Sequence, residues 1–364
     1  MRAAVIRGLG EGFLVEDLSI AEPIGREVLV EVRASGLCHS DLHFATIDFG
    51  VPLPAVLGHE LAGVVLAVGP EVQGFAPGDR VAGSLVQFCS RCDACLSGET
   101  YRCRSGAELM RGPDQPPRLT DAVGEAVFPV FGTAAFAERA LVHENQLVAL
   151  PDGIPFPQAS VLGCATITGA GAAINAARVR PGDTAVVIGV GGIGLNIISG
   201  AALAGAEKII AVDLSDEKLE LARRFGATHV VNGGAGDPVA AVQEITGGGA
   251  DHAFEAIGLP ATTTQALRMT RIGGQVLLIG LQPPGSRMEI AMMDDVITPQ
   301  RTVKGVFMGS ANIKRDIPVY AELYLQGRLN LDDLISREIP VEEINDAYEL
   351  MKTGQIARTV ITRW

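Results

Sequence analysis

The chain has 364 residues, 48% of them hydrophobic and 20% charged, and a formal net charge of −13. At about 150 residues per domain, this length predicts two domains whose cores need no disulfide staples. The globular composition excludes disorder and fibrous repeats. The acidic balance excludes nucleic acid and an anionic membrane surface as partners.

The first residues, MRAAVIRG, hold too short an apolar stretch for a signal peptide, which predicts a cytoplasmic protein. Up to about residue 150, short alternating strands (Val28–Val32, Val64–Val68, Arg80–Ala82) are punctuated by Gly and Pro, as in an irregular β domain. Cys89, Cys92, Cys95 and Cys103 follow the spacing C-x2-C-x2-C-x7-C, with small or polar residues between them that permit tight turns. Four thiolates on one loop suit a closed tetrahedral zinc site. Unliganded thiols, the alternative, would be an oxidation liability.

Cys38 and Cys164 stand apart from this cluster. With His59 they form a two-thiolate, one-imidazole set that leaves a fourth position open, which is how catalytic zinc differs from structural zinc. Separations of 21 and 105 residues carry little weight alone, and a lone buried Cys is usually a small hydrophobe. Asp41 and Glu60 strengthen the set as candidates to orient its ligands, and for Glu60 the alternatives are an occasional ligand or a surface acid. The stretch from Gly106 to Val130 is long for a connection, so a functional or interface role is expected.

The window Ala185–Ala206 is apolar enough to suggest a membrane span, yet its glycines divide it into a buried βα unit. Strand Thr184–Ile188 leads into Gly189-Val190-Gly191-Gly192-Ile193-Gly194 and then a helix over Leu195–Leu203. Gly189 serves the tight turn, Gly191 the close approach of backbone to a pyrophosphate, and Gly194 the packing of helix on strand. A second strand, Lys208–Val212, ends at Asp213, nineteen residues after Gly194. An acid there holds ribose hydroxyls and repels a 2′-phosphate, which favours NAD. The alternative is a turn acid capping the helix Asp216–Phe225. Strands at Thr228–Val231, Asp251–Ala256, Gln275–Ile279 and Val303–Phe307 complete a doubly wound, six-stranded parallel sheet. Its other helices fall at Pro238–Thr246 and Pro260–Thr270, with Gly226 and Gly247 as helix stops. An amphipathic helix over Val341–Met351 and a strand at Arg358–Thr362 close the chain.

From Ala3 to Thr362 these pieces resemble the medium-chain zinc-dependent alcohol dehydrogenases, through Gly58-His59-Glu60, the four-cysteine lobe, Gly163-Cys164, the nucleotide fingerprint and Arg358-Thr359. The resemblance implies an α/β protein. A GroES-like β domain (1–164 and 309–364, zinc lobe at about 89–103) would surround a Rossmann domain (165–308), with the active site in the cleft. It implies NAD and two Zn2+ per chain, one catalytic on Cys38, His59 and Cys164 and one structural on the lobe. Ser40 matches the hydroxyl that takes the alcohol proton, and His43 the far end of the relay through the ribose. His39 and Arg358 match pyrophosphate contacts, Thr168 a nicotinamide neighbour, and Lys218 a contact to the adenosine ribose. Gly192 and Ile193 fall within the phosphate loop, and backbone around Ile257, Ile279 and Leu281 matches the nicotinamide side. Leu85 and Val130 stand where liver-type relatives often carry aromatic rings, with Leu281 and Phe307 as outer pocket.

That substitution of rings by aliphatic groups predicts a wide pocket for medium-length aliphatic or aromatic primary alcohols and their aldehydes. The Gly106–Val130 stretch resembles the insertion of dimeric members, which implies a homodimer joined through the edge of the cofactor sheet. Glutathione-dependent formaldehyde dehydrogenases share every motif but need polar and basic groups around the pocket, whereas residues 41–59 are mostly apolar. A nicotinoprotein that keeps NAD bound is a further variant. A zinc-ribbon module for nucleic acid is opposed by the charge and by the lack of basic stripes.

Overall fold

The computed structural model describes residues 1–354 and 357–364. They form two compact units, Met1–Ala165 with Asn312–Trp364, and Thr166–Ala311.

In the first unit, the strand Glu27–Gly36 is the spine of the larger sheet. Its long run of buried residues reflects cover on both faces. It pairs antiparallel with Glu60–Val68, with Arg139–His143 and with the C-terminal strand Thr359–Arg363. The last segment of the chain therefore completes a sheet begun near its start. In a second, six-stranded sheet Arg2–Ile6 lies next to the edge strand Leu14–Asp17, and in the core packed with it Phe13 stacks on Tyr348 at 5.3 Å.

The Gly106–Val130 stretch folds onto this same unit. Leu119–Thr120 and Ala126–Pro129 pair antiparallel. Arg111 and Arg118 reach back to the buried Glu27 carboxylate, with Nε to Oε1 distances of 3.0 and 2.7 Å. Burial pushes the Glu27 pKa up, but the two guanidinium groups hold it below its ordinary value. Arg118 also donates to Leu109 O (2.7 Å) and Gly132 O (3.3 Å), so the stretch is clamped to the turn that follows it.

In the second unit six parallel strands lie in the order His229–Asn232, Lys208–Asp213, Thr184–Ile188, Ala250–Glu255, Thr270–Leu278, Thr302–Gly305. This is the doubly wound α/β sheet that the strand pattern predicts. Its first helix begins at Gly192, three residues before the expected Leu195, because the glycine loop itself supplies the first turn. At the other end of the chain, Val341–Glu343 forms a 3-10 turn and the α-helix proper runs Ile344–Lys352. The apolar helical run long enough to cross a membrane is Phe156–Ala177 rather than the 185–206 window, and 89% of it is buried inside the protein, as in a core helix.

Candidate active site

The four lobe cysteines converge although no element of regular structure longer than one turn holds them. Cys92 caps the short helix Asp93–Leu96, and Cys103 ends a 3-10 turn over Thr100–Arg102. Backbone N–H groups of Cys92, Cys89 and Ser105 donate to Cys89 Sγ and Cys103 Sγ at 3.3–3.4 Å, which favours thiolates. Cys92 Sγ lies 3.5 Å from Cys95 Sγ and 3.9 Å from Cys103 Sγ. Those separations bracket the edge of about 3.8 Å expected for a tetrahedron with bonds of about 2.3 Å. Backbone hydrogen bonding lowers the Cys92 thiol to about 6, while burial pushes Cys95 up to about 12. Crowded sulfurs cannot all ionise without a cation among them, so the donor set fits zinc.

The second group is assembled from three distant elements. Cys38 is the extended residue that caps the helix His39–Thr46. His59 precedes the strand Glu60–Val68, following Gly58 at φ +93°, where a Cβ would fall 2.6 Å from Phe136 N. Cys164 sits in a π-helical turn, Leu162–Thr166, a form frequent at functional sites. Gly163 lets that turn rest on the strand Arg80–Gly83, since a Cβ there would lie 1.9 Å from Gly83 O. Ligand atoms of Cys38, His59, Glu60 and Cys164 all lie within 4.8 Å of one another, and all four residues are buried.

Around these four the polar contacts are specific. Asp41 Oδ1 takes the His59 Nδ1–H at 2.9 Å and the Gly58 N–H at 3.1 Å, which leaves Nε2 as the lone-pair nitrogen on the metal side. Ser40 Oγ donates to Cys38 Sγ at 3.2 Å and lies 3.4 Å from His59 Nε2. Glu60 Oε1 meets Arg358 Nη2 at 2.9 Å and the Ala165 N–H at 3.1 Å, while its Oε2 is buried with no partner among the described residues. Gly36 makes room for that oxygen, which lies 2.1 Å from where a Cβ would stand.

The electrostatics follow from burial. A hydrogen bond from Cys164 holds the Cys38 thiol well below its ordinary range, with Arg358 assisting against desolvation, and Cys164 is correspondingly raised. Burial opposes a charged His59, yet the Asp41 and Cys38 charges keep it raised. Desolvation pushes Glu60 up to about 7, with Arg358 pulling the other way. Two sulfurs, an imidazole nitrogen and an orphaned carboxylate oxygen in a buried site fit a divalent zinc ion.

Other expected residues are placed less centrally. His43 lies half-buried on the Ser40 helix, and no hydrogen bond joins the two among the described residues; His39 is exposed. Arg358, read from the resemblance as a pyrophosphate contact, is buried behind the sulfur site on Glu60 and Leu37 O. Beside His59 the structure places aromatic rings. Val130 is 1% exposed within the core, and Leu85 is half-buried. Phe131 adopts φ +56°, and this left-handed turn brings its ring edge-on to His59, with centroids 5.4 Å apart. Phe44 meets Phe131 at 4.9 Å, and Phe49 stacks on Phe44 at 4.5 Å. Gln146 Nε2 fixes the turn through Phe131 O at 2.9 Å, together with Arg118 on Gly132 O. Sequence reasoning missed these rings, and the Phe131-Gly132 pair was its only available turn signal.

In the second unit, Gly189 has φ +92°, Gly194 packs 1.9 Å (by its absent Cβ) from Gly189 O, and Gly191 faces open space. That cradle fits a pyrophosphate at the start of the helix Gly192–Leu203, which includes Ile193. Asp213 Oδ2 accepts the Val190 N–H at 2.8 Å, and its Oδ1 accepts from Leu214 and Ser215. Lys218 Nζ is 3.9 Å away from Oδ2. The helix cap is Ser215, so Asp213 braces the glycine loop instead of capping the helix. Thr168 is buried with its hydroxyl 3.7 Å from Met308 Sδ, whereas Ile257, Leu281 and Phe307 are exposed on this unit. The Ile279 N–H donates to Glu255 O at 2.9 Å.

Known families agree with this construction. Residues 25–152 match the alcohol dehydrogenase GroES-like domain and residues 192–325 the zinc-binding dehydrogenase family. The chain is 38% identical to the NDMA-dependent alcohol dehydrogenase of Amycolatopsis methanolica, covering 99% of this chain and 98% of that protein. It is 36% identical to the S-(hydroxymethyl)glutathione dehydrogenase of Paracoccus denitrificans, covering 99% of each. The crystal structure of benzyl alcohol dehydrogenase from Acinetobacter calcoaceticus superposes with a TM-score of 0.92 at 36% identity, covering 100% of this chain and 99% of that one. The chain belongs to the medium-chain zinc-dependent alcohol dehydrogenase family and is an oxidoreductase of that class.

Proposed function

We propose that this protein interconverts primary alcohols and aldehydes with NAD, and that arylmethanols are preferred over ethanol. The observation that carries the substrate class is the Phe44–Phe49–Phe131 cluster, whose ring edge meets the imidazole of a metal-ligating histidine. Edge-to-face contacts with a bound arene are worth about 0.5–1.5 kcal/mol each beyond area burial. The benzyl alcohol dehydrogenase named above supports the same class.

Cys38, His59 and Cys164 would hold a zinc ion, which would supply the Lewis acidity that makes an alcohol far more acidic. Asp41 holds the imidazole tautomer that offers Nε2 to the metal. Ser40 Oγ would take the alcohol proton as its own hydroxyl proton leaves outward, with His43 on the same helix as the outer group, while the phenylalanine rings exclude water. Glu60, restrained by Arg358, keeps a carboxyl oxygen beside the two sulfurs. The glycine loop and Asp213 bind NAD, and the carboxylate that braces Val190 disfavours a 2′-phosphate. The lobe cysteines would hold a second, structural zinc. The unpaired edge of strand Thr302–Gly305 supports a homodimer, and the unbridged cysteines fit a reducing cytoplasm.

A kinetic series from ethanol through hexanol to benzyl alcohol, run on wild type and Phe131→Ala, tests the reading. Benzyl alcohol should exceed ethanol in kcat/KM by at least about tenfold, and Phe131→Ala should remove most of that margin while ethanol changes little. Ethanol as best substrate sinks it. The NDMA-dependent relative favours a second reading, permanently bound NAD, which absorbance of the purified protein at the reduced-nicotinamide band would reveal.

A further inference from the structure

The strand order reverses between Thr184–Ile188 and Ala250–Glu255. Strands laid down first spread to one side, and the later ones return to the other. In open α/β sheets ligands bind outside the carboxyl ends of the strands at such a switch point. Glu255 is the last residue of its strand and pairs in register with Ile188, the residue before the glycine turn. The carboxylate is fully buried.

One oxygen of this carboxylate does the work of a small scaffold. Oε1 accepts from Ile257 N–H (3.0 Å), Gly258 N–H (2.8 Å) and Thr262 Oγ1 (2.8 Å). The backbone oxygen of the same residue accepts from Ile279 N–H (2.9 Å) and Gly280 N–H (3.0 Å). The loops it gathers touch without slack. A Cβ on Gly189 would lie 2.5 Å from Ile257 Cγ1, one on Gly258 2.5 Å from Leu281 O, and one on Gly280 2.1 Å from Gly258 N. Any shift of the Ile257–Gly258 peptide is therefore transmitted to the glycine turn and to residues 280–281. Oε2 has no hydrogen-bond partner, and no cation pairs with Glu255 among the described residues. A glutamine would offer the same single acceptor without burying a charge, so the carboxylate is not explained by the contacts of Oε1 alone.

We propose that Glu255 is a positioning residue for the nicotinamide-ribose half of the dinucleotide site. Asp213 and the loop after Thr184–Ile188 take the adenosine and pyrophosphate, and the rest of the molecule runs over the ends of Ala250–Glu255 and Thr270–Leu278. Glu255 fixes the backbone those ends present. Its second, buried oxygen takes a donor from outside the chain, an ordered water. This rests on the NAD reading above.

The experiment measures dissociation constants for NADH and for ADP, which lacks the nicotinamide-ribose half, on full-length, zinc-loaded wild type, Glu255→Gln and Glu255→Ala. Bound-NADH fluorescence and thermal midpoints are recorded alongside. Loss of an acceptor shared by three donors should weaken NADH in Glu255→Ala by about tenfold or more, with ADP within about twofold. The emission shift of bound NADH should shrink as well. Glu255→Gln, which keeps the acceptor and loses the charge, should fall between wild type and Glu255→Ala. If Glu255→Ala does not fold, Thr262→Val and Glu255→Gln carry the same NADH-against-ADP comparison, with smaller losses confined to NADH. Equal weakening of both ligands, or of neither, overturns the proposal. Failure of wild type to bind either ligand would instead overturn the NAD reading.

Discussion

The two sulfur-rich groups of the first unit share a ligand chemistry and differ in almost everything else. The lobe takes four cysteines from fifteen consecutive residues, Cys89 to Cys103, and all four are only half-buried. The buried group takes Cys38, His59 and Cys164 from a helix cap, a strand entrance and a π-helical turn, and surrounds them with Asp41, Glu60 and Arg358. In the lobe the ion would hold the fold together. In the buried group the fold would hold the ligands, with the Glu60 carboxylate, restrained by Arg358, beside them. A site that must be completed by substrate has to be shaped by the protein rather than by the metal.

The comparison breaks most visibly on single cysteines. Cys38→Ser should lower turnover by about 10³-fold or more while thermal unfolding and far-UV circular dichroism change little, since several kcal/mol of Lewis-acid stabilisation go and the core stays. Cys95→Ser should do the reverse, reducing soluble yield and thermal midpoint, because binding free energy at a structural zinc is folding free energy. Equal loss of fold in both variants would show that the two groups are not separable. A smaller effect is expected at Asp41. Replacing its carboxylate by an amide (Asp41→Asn) should weaken zinc at the buried group about tenfold, read by chelator competition, and leave the lobe untouched.

How much of each group was legible in the sequence follows from the same contrast. The lobe reads directly, because four ligands within one loop are a local pattern, and so does the glycine loop between a strand and a helix. Cys38, His59 and Cys164 carried no local signal and came through the family resemblance, since sequence separation hides a site that tertiary structure assembles. The ring beside His59 had no signal of its own in the sequence. Val130 and Phe131 are neighbours, and only the left-handed turn at Phe131, clamped by Gln146 and Arg118, sends the valine to the core and the ring to His59. Glu255 had no motif at all, because its importance lies in which backbone groups it gathers.

The smallest effect expected concerns the lobe's attachment. Asn145 ties the lobe base down through Phe88 O (2.7 Å) and Ser90 Oγ (3.1 Å), and its own N–H donates to His143 Nδ1 at 3.1 Å. Burial, with Arg26 adding to it, pushes the His143 imidazole down to about 4. The unfolded chain binds this proton more readily, so stability is lost as pH falls from about 6.5 toward 4. His143→Gln should flatten that loss by about 1 kcal/mol at pH 5, after allowance for partial exposure, and denaturant unfolding at pH 7 and pH 5 checks it.

The most direct test of the division between a metal that holds the fold and a metal the fold holds is elemental zinc analysis of purified wild type and Cys38→Ser. Two zinc ions per chain in wild type and one in the variant, with the thermal midpoint nearly unchanged, are the expected result. A single zinc in both proteins, or loss of both ions from Cys38→Ser, would contradict the account.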